Sequence, residues 1–134
     1  MAGKVQFELV SPERLLVSEA VDMVVVPGSE GDFGALPDHA PMITAVRPGV
    51  IDVYTVGVVT NRIFVAGGFA EVTEDGVTVL AEEAVALDEI DPETVAGRLR
   101  AAEQRVEAAD GDRARAEAER TLAVARALQQ AIGS

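Results

Sequence analysis

From residue 4 to residue 10 the chain alternates, with Val5, Phe7 and Leu9 apolar against the polar Gln6 and Glu8. A period of two predicts a strand with one buried and one wet face. Ser11-Pro12-Glu13 turns the chain, and short apolar segments follow over 14–18, 19–26, 33–36, 42–46, 49–55, 56–65, 69–73 and 77–81. Most are rich in Val, Ile, Thr or Phe, and turn residues separate them, among them Asn61-Arg62, Gly67-Gly68 and Glu74-Asp75-Gly76. Gly67-Gly68 is read as a hairpin turn, because no Gly-Lys-Ser/Thr accompanies it as a phosphate loop requires. Eight to ten strands at this spacing, with no helix-length segment between them, predict a mainly β fold: an antiparallel sandwich of about ten strands, or a barrel.

The pattern changes after Leu87. All the aromatic residues (Phe7, Phe33, Tyr54, Phe64, Phe69) lie before it, and alanine dominates after it. Asp91-Pro92-Glu93 reads as a helix start, with Asp91 as N-cap and Pro92 preset for the first turn. Val95, Leu99, Ala102, Val106 and Ala109 then recur at spacings of four and three, one apolar stripe of a helix. Asp110-Gly111-Asp112 breaks it, Gly111 being suited to a left-handed C-terminal position and Asp112 to capping the next start. A second helix from residue 113 to about 132 sets Ala114, Ala118, Leu122, Ala125, Leu128 and Ile132 on one side, with Arg113–Glu117 and Arg115–Glu119 as outer pairs. So short a connection predicts an antiparallel hairpin. An alanine seam brings the helices close but buries little area, so at about 25 cal/mol per Å2 the hairpin is only marginally stable by itself. The expected organisation is a β-sandwich over 1–87 and an α-helical hairpin over 88–134.

Charge sharpens the division. The chain has 134 residues and a net charge of −12. Residues 1–88 carry 14 acids against 4 bases, and residues 89–134 carry 9 against 7. The excess of acid argues against nucleic-acid binding, which needs clustered Lys and Arg to neutralise phosphates. With no cysteine and one histidine, disulfides, thiolate metal sites and zinc are not expected. The longest apolar runs, such as 23–27, are far short of the roughly 20 residues of a membrane span, and no secretory signal or transit peptide is read. An intracellular location is expected.

One stretch is over-specified. Residues 26–41 hold Gly28, Gly31 and Gly34 together with Pro27, Pro37 and Pro41, so the backbone is both opened to positive φ and fixed. The same stretch carries Glu30, Asp32 and the lone histidine, His39. His39 has no cysteine to activate and no Gly-x-Ser-x-Gly or His-Glu-x-x-His motif appears, so a turn histidine is expected rather than catalysis. No catalytic residue and no cofactor is assigned.

The run Pro-Gly-x-x-Gly-x-x-Gly-x-Leu-Pro-x-His-Ala-Pro over 27–41 resembles the most recognisable segment of the epsilon subunits of bacterial F-type ATP synthases, homologues of the mitochondrial delta subunit. The resemblance extends to Phe7-Glu8-Leu9-Val10-Ser11-Pro12-Glu13, Arg47-Pro48-Gly49, Val65-Ala66-Gly67-Gly68-Phe69-Ala70-Glu71-Val72 and Val77-Thr78-Val79-Leu80-Ala81-Glu82. It implies a non-catalytic rotor subunit, peripheral at the cytoplasmic face of the bacterial inner membrane. Its sandwich would clamp the gamma stalk and stand on the proteolipid ring, with Glu30, Asp32 and His39 at the ring contact. Its arm would fold beside the sandwich or extend into the alpha/beta catalytic head to block ATP hydrolysis, with Arg98, Arg105, Arg113, Arg115, Arg120 and Arg126 suited to acidic partner surfaces. Members that bind ATP on the arm carry Ile/Leu-Asp-x-x-Arg-Ala. Here the stretch is Ile90-Asp91-Pro92-Glu93-Thr94-Val95, so Asp91 is the nucleotide candidate while Thr94 replaces the guanidinium that would meet a phosphate. ATP binding is therefore not expected, and Asp91 reads as a helix cap. The alternative is a free-standing acidic sandwich that binds proteins and dimerises through its helical tail.

Overall fold

The computed structural model describes residues 3–133. Ten strands are followed by two helices: β1 (Val5–Val10), β2 (Leu15–Val21), β3 (Met23–Gly28), β4 (Gly31–Ala35), β5 (Met42–Val46), β6 (Gly49–Thr55), β7 (Val58–Val65), β8 (Gly68–Val72), β9 (Gly76–Ala81), β10 (Ala84–Ala86), a 3-10 turn at Leu87–Glu89, α1 (Pro92–Ala108) and α2 (Asp112–Ile132). The chain forms two compact units that meet in sequence at Ala86 and Leu87. The first is the expected β-sandwich and the second the expected helical hairpin.

The strands join in the order β10-β7-β6-β3-β5-β8-β9-β1-β2, and β4 is added to β3 outside this path. The sheet folds over on itself so that β1 faces β3 and β2 faces β6 without being paired to them. Val5, Phe7 and Leu9 point into this core, as the alternation requires, against Val24, Val26, Ile51, Val53, Val72 and Val79. Every pairing is antiparallel except β1 with β9, which run parallel, Leu9 opposite Val79. Local alternation is blind to that pairing, because partners so far apart in sequence are joined by a crossover, not a hairpin.

Turn positions depart from expectation in three places. Asn61 and Arg62 lie inside β7, where Asn61 donates to the Glu19 carboxylate (3.2 Å) and Arg62 pairs with Asp52 on β6 (3.1 Å). The turn is Val56-Gly57 instead. Gly67-Gly68 is no hairpin turn either, since β7 pairs with β10 and β6 while β8 pairs with β5 and β9. It carries the chain from one layer to the other at positive φ, and a Cβ on Gly68 would stand 1.9 Å from the Leu80 carbonyl oxygen. Finally, β2 and β3 are divided at Asp22 rather than at residue 19.

Asp22 sits at that break for a reason. Its N–H donates to the Tyr54 carbonyl (3.0 Å), and its carboxylate accepts from the Val56 N–H (2.6 Å) and the Lys4 ammonium (2.5 Å). The hydrogen bond from Lys4, then that from Val56, hold the Asp22 carboxyl below its ordinary value. Val56 needs this support. Val56 and Gly57 form a two-residue hairpin loop with φ of 52 and 75, a shape that favours Asn-Gly and opposes a β-branched residue.

In the helical unit, Asp91 is the N-cap of α1: its carboxylate accepts from the Glu93 N–H (3.2 Å) and from the Thr94 hydroxyl (3.0 Å). At α2 the expected cap is not realised. Gly111 occupies the N-cap at φ 93, where no side chain caps the helix, and Asp112 lies one residue inside, in the first turn. Ala102, Leu122 and Ala125 form one buried cluster with Leu99 and Val106 packed against it, and Val95, Ala118 and Leu128 are buried as well. The outer Arg113–Glu117 and Arg115–Glu119 pairs do not close to ion-pair distance among the described residues. Holding two long exposed side chains together gains too little to order them.

Two outcomes are expected. Val56→Asn should stabilise the chain by about 1 kcal/mol, read as a higher midpoint in thermal unfolding, because Asn tolerates the left-handed conformation that Val56 is forced into. A lower midpoint would show that the turn is not strained. For Asp22 the folded carboxyl titrates below the unfolded one, so its contribution is complete above about pH 4 and is lost as pH falls through the folded value. Urea unfolding of Asp22→Asn against the parent should accordingly show a constant deficit from pH 7 to 5 that closes below pH 4. A deficit independent of pH would assign Asp22 a packing role only.

Candidate protein-interaction surfaces

The 26–41 stretch resolves into a hairpin and a short loop. β3 and β4 pair from Val24 opposite Ala35 to Gly28 opposite Gly31, leaving Ser29 and Glu30 as the tip. Gly28 must be glycine here, because a Cβ would meet the Gly31 carbonyl oxygen at 2.8 Å and the Phe33 ring at 3.2 Å. Gly31 follows at φ 133, open to solvent. Glu30 is exposed, and nothing among the described residues forms an ion pair or hydrogen bond with its side chain. Asp32, one position past Gly31, is different: its carboxylate is paired with the Arg47 guanidinium.

His39 lies in the loop that follows. Asp38 takes φ 63, and the His39 N–H donates to the Leu36 carbonyl (3.2 Å). The His39 Nδ1 is 2.6 Å from the Ala40 carbonyl oxygen, which can only accept, so Nδ1 carries the proton. The ring leans on Phe33, centroids 6.5 Å apart and planes tilted by 49°. The fold thus gathers Glu30 and Asp32 at one hairpin end and folds His39 back beside β4.

A second surface went unread in the sequence. Across five strands the register sets Ala45 opposite Phe69, Phe69 opposite Leu80, Leu80 opposite Val10 and Val10 opposite Leu15. Phe69 is 59% exposed, Leu80 54% and Leu15 55%, so an apolar row crosses the outer face of β5, β8, β9, β1 and β2. Ile43, two residues from Ala45 on β5, extends it at 73% exposure. Scattered single apolar residues are ordinary on a surface, but a contiguous row marks a contact. The signal was present: in Val77-Thr78-Val79-Leu80-Ala81, Leu80 falls on the outward phase where Thr78 is polar.

On the helical hairpin Arg105, Arg113, Arg115, Arg120 and Arg126 are exposed and Arg98 is half-buried. An open groove of about 520 Å3 lies between Arg100, Glu103 and Glu107 of α1 and Leu122 and Arg126 of α2. Its two guanidinium groups are matched by two carboxylates, which gives an anion such as a nucleotide phosphate no net attraction. Asp91, the candidate taken from the nucleotide motif, has its carboxylate engaged in capping α1. No helix among the described residues is long and apolar enough to cross a membrane.

The class is that of an acidic β-sandwich with an apolar outer row, continued by a two-helix arm. The family model for the ATP synthase delta/epsilon chain β-sandwich domain matches residues 4–87. A protein of Paramagnetospirillum magneticum called ATP synthase epsilon chain is 58% identical over 132 residues, covering 98% of this chain and 99% of its own. The protein of the same name from Rhodospirillum rubrum is 59% identical over 128 residues, 96% of each. Among solved structures, a chain in the cryo-EM structure of the Euglena gracilis mitochondrial ATP synthase that includes the c-ring matches with a TM-score of 0.84 at 27% identity, covering 98% of this chain and 83% of that one. A chain in the central stalk and c-ring structure of the Tetrahymena thermophila mitochondrial ATP synthase shares the fold alone, at a TM-score of 0.68 and 13% identity, over 98% of both chains. The chain belongs to the ATP synthase delta/epsilon family and is a subunit of the F-type ATP synthase complex.

Proposed function

We propose that this chain is a non-catalytic rotor subunit that joins the gamma stalk to the proteolipid ring, peripheral to the cytoplasmic face of the bacterial inner membrane. The apolar row of Leu15, Leu80 and Phe69 is the observation that carries the reading, because a subunit lodged against a shaft needs a dry, extended contact and this face supplies one. The Glu30 end of the β3–β4 hairpin meets the polar loops of the ring, with Asp32 and His39 shaping that end. The reading draws on membership of the family together with a solved relative whose structure includes F1 and the c-ring. The helical arm, with its exposed arginines, reaches the alpha/beta catalytic head and restrains ATP hydrolysis. The buried positions of the hairpin favour this: three of the six, Ala102, Ala118 and Ala125, are alanine beside Val95, Leu122 and Leu128, and a unit with few large buried side chains exchanges between packings at small cost.

Two experiments test it. Phe69→Thr with Leu80→Thr keeps strand propensity while removing the row's largest members, and should weaken binding to the stalk by roughly 2 to 4 kcal/mol with the thermal midpoint of the isolated chain little changed. Pull-down of stalk and proteolipid from membranes measures it, and undiminished capture would move the stalk contact off this face. Truncation after Leu87 should leave a β-rich chain that still joins the complex, with membrane ATP hydrolysis raised and proton-driven synthesis retained. Equal hydrolysis rates would remove inhibition from the arm, and an unfolded fragment would show that the sandwich depends on residues 88–134.

A further inference from the structure

The Arg47-Pro48-Gly49 motif has no part in the function just proposed, yet its first residue touches both strands of the acidic hairpin. β4 pairs with β3 alone, and β3 is paired with β6 only over Met23 to Val25. Toward the tip, one residue pair, Gly28 opposite Val46, links β3 to β5. The outer half of the hairpin therefore overhangs the sheet with little ladder to aim it. Pro27, opposite Asp32, subtracts a further donor.

Arg47 supplies the missing contacts. Its N–H donates to the Pro27 carbonyl (2.9 Å), and its Nη1 donates to the Gly28 carbonyl (2.6 Å). Its Nη2 pairs with the Asp32 carboxylate. Next to it, the Ser29 N–H donates to the Ala45 carbonyl (2.9 Å). One guanidinium thus grips an acceptor on β3 and another on β4, a hold that uses the planar fork of arginine and that the point charge of lysine cannot reproduce. The Arg47 and Asp32 side chains are 44% and 60% exposed, so the ion pair is screened and adds little to global stability. What it governs is direction.

The geometry points to Arg47 as a positioning residue: shared between the Gly28 carbonyl and the Asp32 carboxylate, it aims the β3–β4 hairpin and so presents Glu30. Asp32 is then engaged within the chain, and Glu30 is the acid a partner meets. The last step rests on the proposed contact between the hairpin end and the ring, whereas the aiming of the hairpin does not.

Hydrogen exchange of the full chain tests the positioning directly, with Arg47→Ala and Arg47→Lys set against the parent. Amides of residues 28–33 should exchange about tenfold faster in both variants, the effect of losing a charged hydrogen bond, while amides of β8 and β9 and the thermal midpoint keep parental values. Unchanged exchange in Arg47→Ala, or full rescue by lysine, overturns the proposal. The same variants and Glu30→Lys are then assembled into membranes, and the soluble head retained after a low-salt wash is measured. Faster exchange in both Arg47 variants with lowered retention in all three supports the positioning role and the ring contact together. Faster exchange in both Arg47 variants with parental retention in Glu30→Lys leaves Arg47 as the hairpin's positioning residue and overturns the ring contact.

Discussion

The strand ladder passes between the two layers of the sandwich through one residue pair. Gly28 is the last residue of β3, which pairs with β6 at its start and with β4 along its length, and among the described residues its pairing with Val46 is the one ladder pair that leads to β5 and the four strands beyond, flanked by the Ser29–Ala45 and Arg47–Pro27 backbone hydrogen bonds. No side chain fits there, since Gly31 and Phe33 already occupy the space. The neighbouring backbone is equally tight: a Cβ on Gly49 would stand 3.0 Å from the Pro27 Cβ. The crossing of the layers and the aim of the acidic hairpin are thus set by the same few atoms, because Arg47 follows Val46 and Ser29 follows Gly28. Close backbone approach is what glycine permits and any Cβ forbids.

Much of this was legible from alternation. The strands containing Phe7, Val24 and Val79, the helix boundaries near Pro92 and Ile132, and the change of architecture after Leu87 all follow from period, propensity and capping. Pairing was not, for a physical reason. A local pattern fixes which face of a strand is buried but carries no information on its neighbour, so the parallel β1–β9 ladder and the crossover at Gly67-Gly68 stayed hidden. The Val56-Gly57 turn was concealed by its chemistry, because Val56 belongs by propensity in a strand and is held in the turn by a carboxylate distant in sequence, Asp22.

The candidate surfaces were legible to different degrees. Glu30 and Asp32 stand out in the sequence beside their glycines, but only the fold separates them, giving Asp32 a cation within the chain and leaving Glu30 without one among the described residues. The apolar row required register. Leu80 and Phe69 look like core residues one at a time, and each is exposed because the buried phase of its strand is filled by Val79 and Ala70. Outward apolar residues on one strand mean little. Aligned across five strands they make a surface whose hydration is worth removing.

The two units also differ in how firmly they are built. In the sandwich Phe7, Leu9 and Ile51 are buried completely, surrounded by valines, so side-chain packing fixes one arrangement. In the hairpin alanine takes three of the six buried helical positions, Ala102, Ala118 and Ala125, beside Val95, Leu122 and Leu128, and alanine offers little area or shape to specify a unique partner face. The acids and arginines outside those positions nearly balance, nine against seven over residues 89–134. The arm's total charge is therefore small, its exposed arginines act as local contacts, and the rest of the selection falls to the spacing of its apolar stripe. A stripe in which half of the buried positions are alanine accepts more than one surface at similar free energy, the physical condition for an arm that changes its packing while the sandwich keeps its own.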